Sequence, residues 1–267
     1  MGEKMSFFTL SDKGKVRENN EDYAESFSFM QCNSDGSYRR MMAMLLCDGM
    51  GGGPAGERAS FLAVKTMKKC MVNDYVLNEK GFTIEEYLEL LDKYIQKSHL
   101  NIYKEGVDTP SLNGMGTTIV AGAIFDDSLL LAHVGDSRAY CYNTTAGLRQ
   151  LTKDHSLVQQ YVDEGKITPE EAFCHPQRNI ITRVLGAGCC NPVKVDKNDV
   201  SLATGDLVMF CTDGLCGVLE EFEIKAILEK YYTREKTDLK YLANVLVSEA
   251  CLKGGPDNVT LTLYQHN

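Results

Sequence analysis

The order of strand-like and helix-like segments is the feature that most limits how this chain can fold. In chain order they are strands at 5–10, 23–30 and 41–47, helices at 55–71 and 83–103, strands at 117–125, 128–134, 138–142, 199–203 and 207–211, helices at 220–232 and 237–252, and a strand at 258–264. Because strands come in runs and helices in pairs, the chain lacks the strict alternation that builds a parallel doubly wound sheet. The pattern predicts antiparallel sheets with helices on the outside.

The helix at 83–103 carries its own start signal. Thr83 is a typical N-cap residue, and Glu86 stands three positions later, as in a capping box. The later helix at 237–252 runs into Gly254 and Gly255, which form a helix stop.

A single domain covers 1–267 in this interpretation, because the sequence shows neither an internal repeat nor a low-complexity linker. The segment 152–180 differs from its surroundings. It is polar and contains Pro169 and Pro176, which predicts an inserted flap.

Composition excludes several classes of protein. The 267 residues are 43% apolar and carry a net charge of −9, which argues against a nucleic-acid partner. No apolar run approaches the roughly 20 residues of a membrane span. Ten cysteines are scattered without a C-x-x-C pair, which is typical of free thiols in a reducing cytoplasm. We therefore expect a cytoplasmic monomer without a membrane partner.

Acidic residues recur beside glycine at the ends of apolar strand-like runs. One Asp-Gly at a strand end is an ordinary turn, but four such aspartates favour convergence at a common rim. Converging carboxylates repel unless a hard divalent cation such as Mg²⁺ or Mn²⁺ neutralises them, and two such ions can activate a water. Scattered, solvated turn residues remain the alternative. The four aspartates are Asp48, Asp136, Asp213 and Asp257, and the pair Glu21 and Asp22 precedes a further strand.

Arg17 lies in the polar stretch before the second strand. An arginine beside an acidic metal rim is suited to a bidentate grip on phosphate. An ordinary surface charge is the alternative interpretation.

The glycine-rich segment 51–56 also fits a dinucleotide-binding fingerprint, with Asp74 further on. Asp48 would repel a pyrophosphate there, and two helices precede the next strand instead of one. A nucleotide-binding oxidoreductase therefore stays as a weaker alternative, which a lack of NAD binding would exclude. The motifs of a P-loop, a cysteine phosphatase and a serine hydrolase elbow are absent from the sequence.

Six short motifs follow one another along the chain. They are S-D-K-G-K-V-R-E-N-N-E-D (11–22), C-D-G-M-G-G (47–52), G-M-G-T-T (114–118), H-V-G-D-S-R (133–138), T-D-G-L (212–215) and G-P-D-N-V-T (255–260). In order and spacing these motifs resemble those of the metal-dependent serine/threonine protein phosphatases of the PPM (PP2C) type, and of their bacterial branch in particular. The resemblance runs from about residue 7 to 264, nearly the whole chain.

The resemblance implies an α+β fold, a four-layer αββα sandwich of two antiparallel sheets flanked by helix pairs. It also implies two cations, Mn²⁺ or Mg²⁺. Asp48 would bridge them, the carbonyl of Gly49 would bind one, and Asp213 and Asp257 would bind the other. Arg17 would hold the substrate phosphate.

Further roles follow from the same resemblance. Glu21 and Asp22 would act through metal-bound water or from behind the direct ligands. Asp136 and Asp213 would hold a weaker third cation, with Asn179 as a further contact. The flap at 152–180 would shape the choice of substrate.

The implied activity is hydrolysis of phosphoserine and phosphothreonine on proteins by a metal-activated bridging water, with a serine/threonine kinase as the expected partner. A metal-free, non-catalytic binding module of the same fold is the alternative. The animal enzymes of this family have histidine where this chain has Met50. A thioether cannot deliver a proton, so water is expected to protonate the leaving group.

Overall fold

The computed structural model describes residues 7–32, 38–52, 54–78, 81–234 and 237–267. The strands are β1 (Phe7–Asp12), β2 (Tyr23–Cys32), β3 (Tyr38–Cys47), β4 (Gly49–Met50), β5 (Gly116–Thr117), β6 (Ile119–Phe125), β7 (Ser128–Val134), β8 (Arg138–Asn143), β9 (Gly147–Gln150), β10 (Asp196–Ser201), β11 (Leu207–Cys211) and β12 (Val259–Gln265). The helices are α1 (Pro54–Leu77), α2 (Ile84–Asp108), α3 (Leu157–Asp163), α4 (Pro169–Phe173), α5 (Asp213–Cys216), α6 (Glu221–Tyr231) and α7 (Leu239–Leu252), and a 3₁₀ turn, Pro110–Leu112, follows α2.

Two five-stranded sheets form the middle of the molecule. The first has the order β1-β12-β11-β8-β9, and the second has the order β10-β7-β6-β3-β2. Every neighbouring pair in both sheets is antiparallel. A separate two-stranded ribbon pairs β4 with β5.

Helix pairs cover the outward faces of both sheets. One apolar cluster joins α1 and α2 to the second sheet, and another joins α6 and α7 to the first. A third cluster fills the space between the sheets. The predicted αββα sandwich is thereby confirmed. No helix in the described ranges combines the length and the apolarity that crossing a membrane would require.

Strand β3 shows why its sequence is an unbroken apolar run. Met41 and Leu45 pack against the helices, whereas Met44 and Leu46 pack between the sheets. Successive side chains of a strand point to opposite faces. A strand that is buried on both faces therefore loses the alternation of polar and apolar residues.

The predicted helix start at Thr83 is confirmed. Its hydroxyl accepts the Glu86 amide at 3.2 Å, and the Glu86 carboxylate accepts the Thr83 amide at 2.9 Å. The predicted helix stop is also observed, because α7 ends at Leu252 and both Gly254 and Gly255 have positive φ angles.

Several boundaries differ from the sequence expectation. The predicted strand 117–125 breaks at Thr118, whose amide bonds to the Asp48 carbonyl at 2.9 Å. The structure also contains strands β4 and β9 and helix α5, which are too short for a periodicity to show in the sequence. Residues 5 and 6 of the first predicted strand and Gly53 of the glycine-rich segment lie outside the described residues.

The segment 152–180 contains α3 and α4 and forms an insertion between β9 and β10. Its ends lie side by side, because the Leu157 amide donates to the Ile180 carbonyl at 2.8 Å and the Thr182 amide donates to the His155 carbonyl at 2.7 Å. The segment therefore interrupts neither sheet, and its residues form one wall of a cleft.

Phe210 of β11 offers a test of the core between the sheets. It is fully buried, and it packs so closely on Gly122 of β6 that a Cβ there would lie 2.6 Å from the ring. We expect Phe210→Ala to lower the free energy of unfolding by about 3–5 kcal/mol. The matched variant Phe222→Ala removes a ring that is 65% exposed and is expected to cost less than about 0.5 kcal/mol. Urea denaturation measures both, and equal losses would contradict this packing.

Candidate metal centre

The predicted acidic residues meet at one end of the sandwich because the sheets are antiparallel. In such a sheet, one strand ends where its neighbour begins. Tyr23 pairs with Cys47, so the residues before β2 and after β3 lie together. The residues after β11 and before β12 lie together at the same end of the first sheet. Asp48 and Asp213 are consequently close enough for their carboxyls to interact.

Two clefts open at this end of the molecule. The inner cleft, of about 210 Å³, is lined by Arg17, Glu21, Asp48, Gly49, Met50, Asn179, Asp213 and Asp257, among others. The outer cleft, of about 590 Å³, shares Arg17, Asn179, Asp213 and Asp257 and adds Asp136. The structure thus brings eight of the nine predicted site residues to the two clefts. The ninth, Asp22, is buried and lines neither of them.

Desolvation and mutual repulsion disturb the ionisation of these carboxyls. Desolvation, reinforced by Asp22 and Asp213, raises the pKa of Asp48 well above its ordinary range. The pKa of Asp136 is also raised well above its ordinary range, by burial and by Asp213. Burial raises the pKa of Asp213, with Asp257 contributing. Burial raises the pKa of Asp22 to about 7, against hydrogen bonds from Thr260 and Thr212. The alternative of scattered, solvated turn residues is therefore wrong.

The residues present fit a divalent cation. The Oδ1 atoms of Asp22, Asp136 and Asp213 are buried and have no hydrogen-bond partner. A buried carboxylate oxygen without a donor needs a proton or a cation. The lining of the inner cleft offers carboxylates and backbone carbonyls, which are the donors that Mg²⁺ and Mn²⁺ prefer.

Two threonines of the G-M-G-T-T motif hold Asp48, a role that the sequence did not reveal. The Asp48 amide donates to the Thr118 hydroxyl at 2.9 Å, and the Thr117 hydroxyl donates to the Asp48 carbonyl at 2.8 Å. The Thr118 hydroxyl also lies 2.8 Å from that of Ser137, beside Asp136. One motif therefore ties both acidic loops together.

Asn258 is a further site residue that sequence reasoning missed, although it stands in the quoted G-P-D-N-V-T motif. Its Oδ1 accepts the Glu21 amide at 2.8 Å. Its Nδ2 donates to the carbonyls of Lys13 and Asn19 at 2.9 and 2.8 Å, and its own amide donates to Asp257. Asn258 thus fastens the loop that carries Arg17 to the start of β12.

Arg17 forms an ion pair at the junction of the two clefts. Its Nη2 donates to Asp257 Oδ2 at 2.7 Å, and its side chain is 54% exposed. It is therefore not an isolated surface charge. The guanidinium lies among the predicted cation ligands, within a cleft that a phosphate group can enter.

Two glycines of this region, Gly49 and Gly56, allow close packing. A Cβ on Gly49 would lie 2.2 Å from the Gly56 carbonyl oxygen, and a Cβ on Gly56 would lie 1.8 Å from a carboxylate oxygen of Glu21. Glycine lets the start of α1 approach the acidic rim. The dinucleotide alternative is wrong, because its fingerprint belongs to a parallel sheet and both sheets here are antiparallel.

A second group of possible ligands lies at the base of the segment 152–180. His133, His155 and Asp196 place ligand atoms within 4.8 Å of one another. However, Nη1 of Arg183 lies 2.9 Å from His155 Nε2 and 2.7 Å from Asp196 Oδ1. A guanidinium already supplies the positive charge there, so this group is an ion-pair network and not a metal centre.

Comparison with known proteins identifies the family. The model of the family described as "Protein phosphatase 2C" matches residues 19–246. The chain belongs to the protein phosphatase 2C family. The predicted membership of the PP2C-type family and the predicted class of enzyme, a metal-dependent serine/threonine phosphatase, are thereby confirmed.

Relatives of this phosphatase match it over nearly their whole length. It is 35% identical to the serine/threonine phosphatase stp of Listeria innocua over 257 residues, which are 96% of this chain and 94% of the relative. It is 35% identical to the protein phosphatase PhpP of Streptococcus pneumoniae, with 98% of each chain covered. The solved serine/threonine phosphatase of S. agalactiae superposes with a TM-score of 0.82 at 35% identity, covering 98% of this chain and 99% of that one.

A solved catalytic domain of the phosphatase PstP in complex with two manganese ions is also similar. Its TM-score is 0.76 at 32% identity, and 97% of this chain and 96% of that one are covered. The prediction of a metal-dependent family is in accord with that complex.

The crowded carboxyls predict a specific pH effect without metal. Because the pKa of Asp48 is raised on folding, the stability that its bound proton confers is lost as pH rises toward that pKa. Asp48→Asn carries no such charge. In EDTA, the free energy of unfolding of the parent protein should therefore fall, relative to that of Asp48→Asn, as pH rises. We expect the difference between the two proteins to grow by up to about 1.4 kcal/mol per pH unit.

Urea denaturation between about pH 5 and pH 8 measures this difference. The lowered pKa values of His133 and His155 act in the opposite direction, but they are common to both proteins and cancel. A difference that is constant or shrinks as pH rises would show that Asp48 is not held at a raised pKa.

Proposed function

We propose that this phosphatase hydrolyses phosphoserine and phosphothreonine monoesters of proteins with two divalent cations, Mn²⁺ or Mg²⁺, held in the inner cleft. The observation that carries the proposal is the convergence of carboxyl groups with raised pKa values and partnerless oxygens at the end of the sandwich where the two clefts meet. A monomeric, single domain of residues 1–267 would perform the reaction.

Four residues would hold the two cations. Asp48 would be shared by both, the Gly49 carbonyl would bind one, and Asp213 and Asp257 would bind the other. Their positions in the inner cleft support this assignment. When bound, the cations would neutralise the carboxylates and lower the pKa of water, which makes a nucleophile available at neutral pH.

Four further residues would support the centre. Glu21 and Asp22 would orient water or the direct ligands from the loop that Asn258 fastens. Asp136 and Asn179, which line the outer cleft with Asp213, would form a weaker third site. The partnerless, buried Oδ1 of Asp136 supports this assignment.

Arg17 would bind the substrate phosphate. One guanidinium nitrogen donates to Asp257, and among the described residues the other nitrogens donate to no side chain. A planar guanidinium can offer two parallel hydrogen bonds to phosphate oxygens. Arg17 would therefore orient the phosphoryl group over the inner cleft and stabilise its negative charge during transfer.

The leaving group would take its proton from water. Met50 lines the inner cleft, and in the part of the chain that the structure describes no histidine lines either cleft. The alkoxide of serine or threonine is a poor leaving group, so protonation matters for protein substrates.

The cellular setting follows from the chemistry of the substrate. A serine/threonine kinase must supply phosphoserine and phosphothreonine, so a kinase and its substrates are the proposed partners. Free cysteines in the described residues, such as the buried Cys47, Cys70 and Cys211, support a reducing compartment, the cytoplasm.

Metal dependence tests the proposal. We expect turnover of a phosphothreonine peptide to require Mn²⁺ or Mg²⁺ and to stop in excess EDTA. Asp48→Asn, Asp213→Asn and Asp257→Asn should each lower kcat/KM by at least about 100-fold, because a direct ligand is lost. The matched control Asp199→Asn removes an exposed carboxylate outside both clefts and should change little.

Calorimetric titration with Mn²⁺ separates the enzyme from the non-catalytic alternative. Full turnover in EDTA would contradict the metal mechanism, and a folded protein that binds no Mn²⁺ would favour the binding module. A single aspartate variant with parental rates at saturating metal would remove that residue from the centre.

Position 50 tests the protonation of the leaving group. p-Nitrophenolate leaves without a proton, whereas a serine alkoxide needs one. We expect Met50→His to raise kcat/KM for a phosphoserine peptide relative to p-nitrophenyl phosphate by at least about tenfold near pH 6, fading above a histidine pKa of about 6.5. Met50→Gln is the control that cannot donate as an acid. An unchanged ratio across pH would show that position 50 does not govern protonation.

A further inference from the structure

The outer cleft is larger than a phosphate group and reaches beyond the carboxylate rim. Its inner end contains Arg17 and the buried, partnerless Oδ1 of Asp136. From there its volume of about 590 Å³ continues between the segment 152–180 and the start of α6. A chain that carries the phosphate can therefore lie along the walls of this cleft.

Apolar side chains form part of the walls of the outer part. Val158 and Phe173 come from the segment 152–180, and Val218 and Phe222 come from the opposite side. Phe222 is 65% exposed. An exposed aromatic ring at a cleft is a surface on which the aliphatic stem or the cationic head of a long side chain can lie.

The outer part is also acidic. Glu170 in the first turn of α4 and Glu221 in the first turn of α6 line the cleft from its two sides, and both are exposed. Among the described residues, neither forms a salt bridge with a lysine or arginine. Their charge is therefore available to a ligand.

Seven carboxylates line the cleft against three arginines, and two of these arginines already pair with a carboxylate other than Glu170 and Glu221. Arg17 pairs with Asp257, and Arg138 donates to both carboxylate oxygens of Asp154 at 2.7–2.9 Å. Arg178 Nη1 donates to the carbonyls of Phe173 and Gly217. Beyond the phosphate site, the cleft consequently presents a negative and partly aromatic surface.

We propose that the outer cleft binds a basic residue that flanks the phosphorylated residue of the substrate. The side chain lies over Phe222 and its cation meets Glu221, with Glu170 on the facing wall. Arginine is favoured over lysine, because a planar guanidinium stacks on an aromatic ring and pairs with a carboxylate at once. This inference rests on the proposed function and names its substrate class: phosphopeptides with a neighbouring arginine.

A phosphopeptide scan tests the inference. A phosphothreonine peptide with alanine at all flanking positions is compared with peptides that carry arginine, lysine or glutamate at each flanking position in turn. The readout is kcat/KM with Mn²⁺, divided by that of the alanine peptide. We expect arginine at one or two positions to raise this ratio about 3- to 10-fold, as an exposed ion pair and cation–π contact allow. The gain should shrink as salt is added.

Variants assign the preference to the cleft. Glu221→Gln removes the charge and Phe222→Ala removes the ring, and each should reduce the arginine gain to less than about half. Glu170→Gln should reduce it less. The matched control Glu85→Gln removes an exposed glutamate from the first turn of α2, outside both clefts, and should keep the full gain.

The outcomes separate this inference from the proposed function. If the parent enzyme turns over no phosphopeptide, the proposed function fails. If it turns over the alanine peptide but shows no arginine preference, or prefers glutamate, the cleft inference alone is overturned. It is also overturned if the arginine gain survives in both Glu221→Gln and Phe222→Ala. Turnover of p-nitrophenyl phosphate by each variant reports whether its metal centre is intact.

Discussion

Repulsion among carboxyls that are partly removed from water is the constraint on which the rest of this structure depends. Asp48 and Asp213 face each other across the two sheets, and Asp22 and Asp136 lie buried beside them. Desolvation penalises each charge, and proximity multiplies the penalty. Only protons or cations can relieve it. In the proposed function, the same repulsion would give the site its affinity for a hard divalent ion.

A rigid frame prevents the carboxyls from separating. Thr118 bonds to the loop of Asp48 and to Ser137, and the Thr212 hydroxyl donates to Asp22 at 2.9 Å while accepting the amide of Thr260 at 3.0 Å. These hydroxyls join strands of both sheets at the end where the acids lie. The apolar side chains that pack between the two sheets hold these strands in place. Preorganisation of this kind places charge without any rearrangement at the moment of reaction.

In the proposed function, catalysis and substrate recognition would occupy different parts of the molecule. The sandwich supplies the acids through strand ends whose positions the hydrogen-bonded register determines. The segment 152–180 and the start of α6 supply the walls of the outer cleft with surface side chains, which can change without disturbing either sheet. Arg17 lies where the two parts meet. Such a division lets one fold keep its chemistry while the sequence of the walls selects the substrate.

The sequence by itself determined the layered fold and the identity of the acidic residues. The apolar run 41–47 predicted a strand, and acids beside glycine at strand ends favoured a common rim. The tertiary structure decided what local patterns cannot encode. Three features join residues that are far apart in the chain. They are the ion pair of Arg17 with Asp257, the hydrogen bond of Asn258 to the Glu21 amide, and the cleft that Phe222 lines. Such contacts depend on the packing of the complete sandwich and on the path of its loops, whereas periodicity reports only on neighbours along one element.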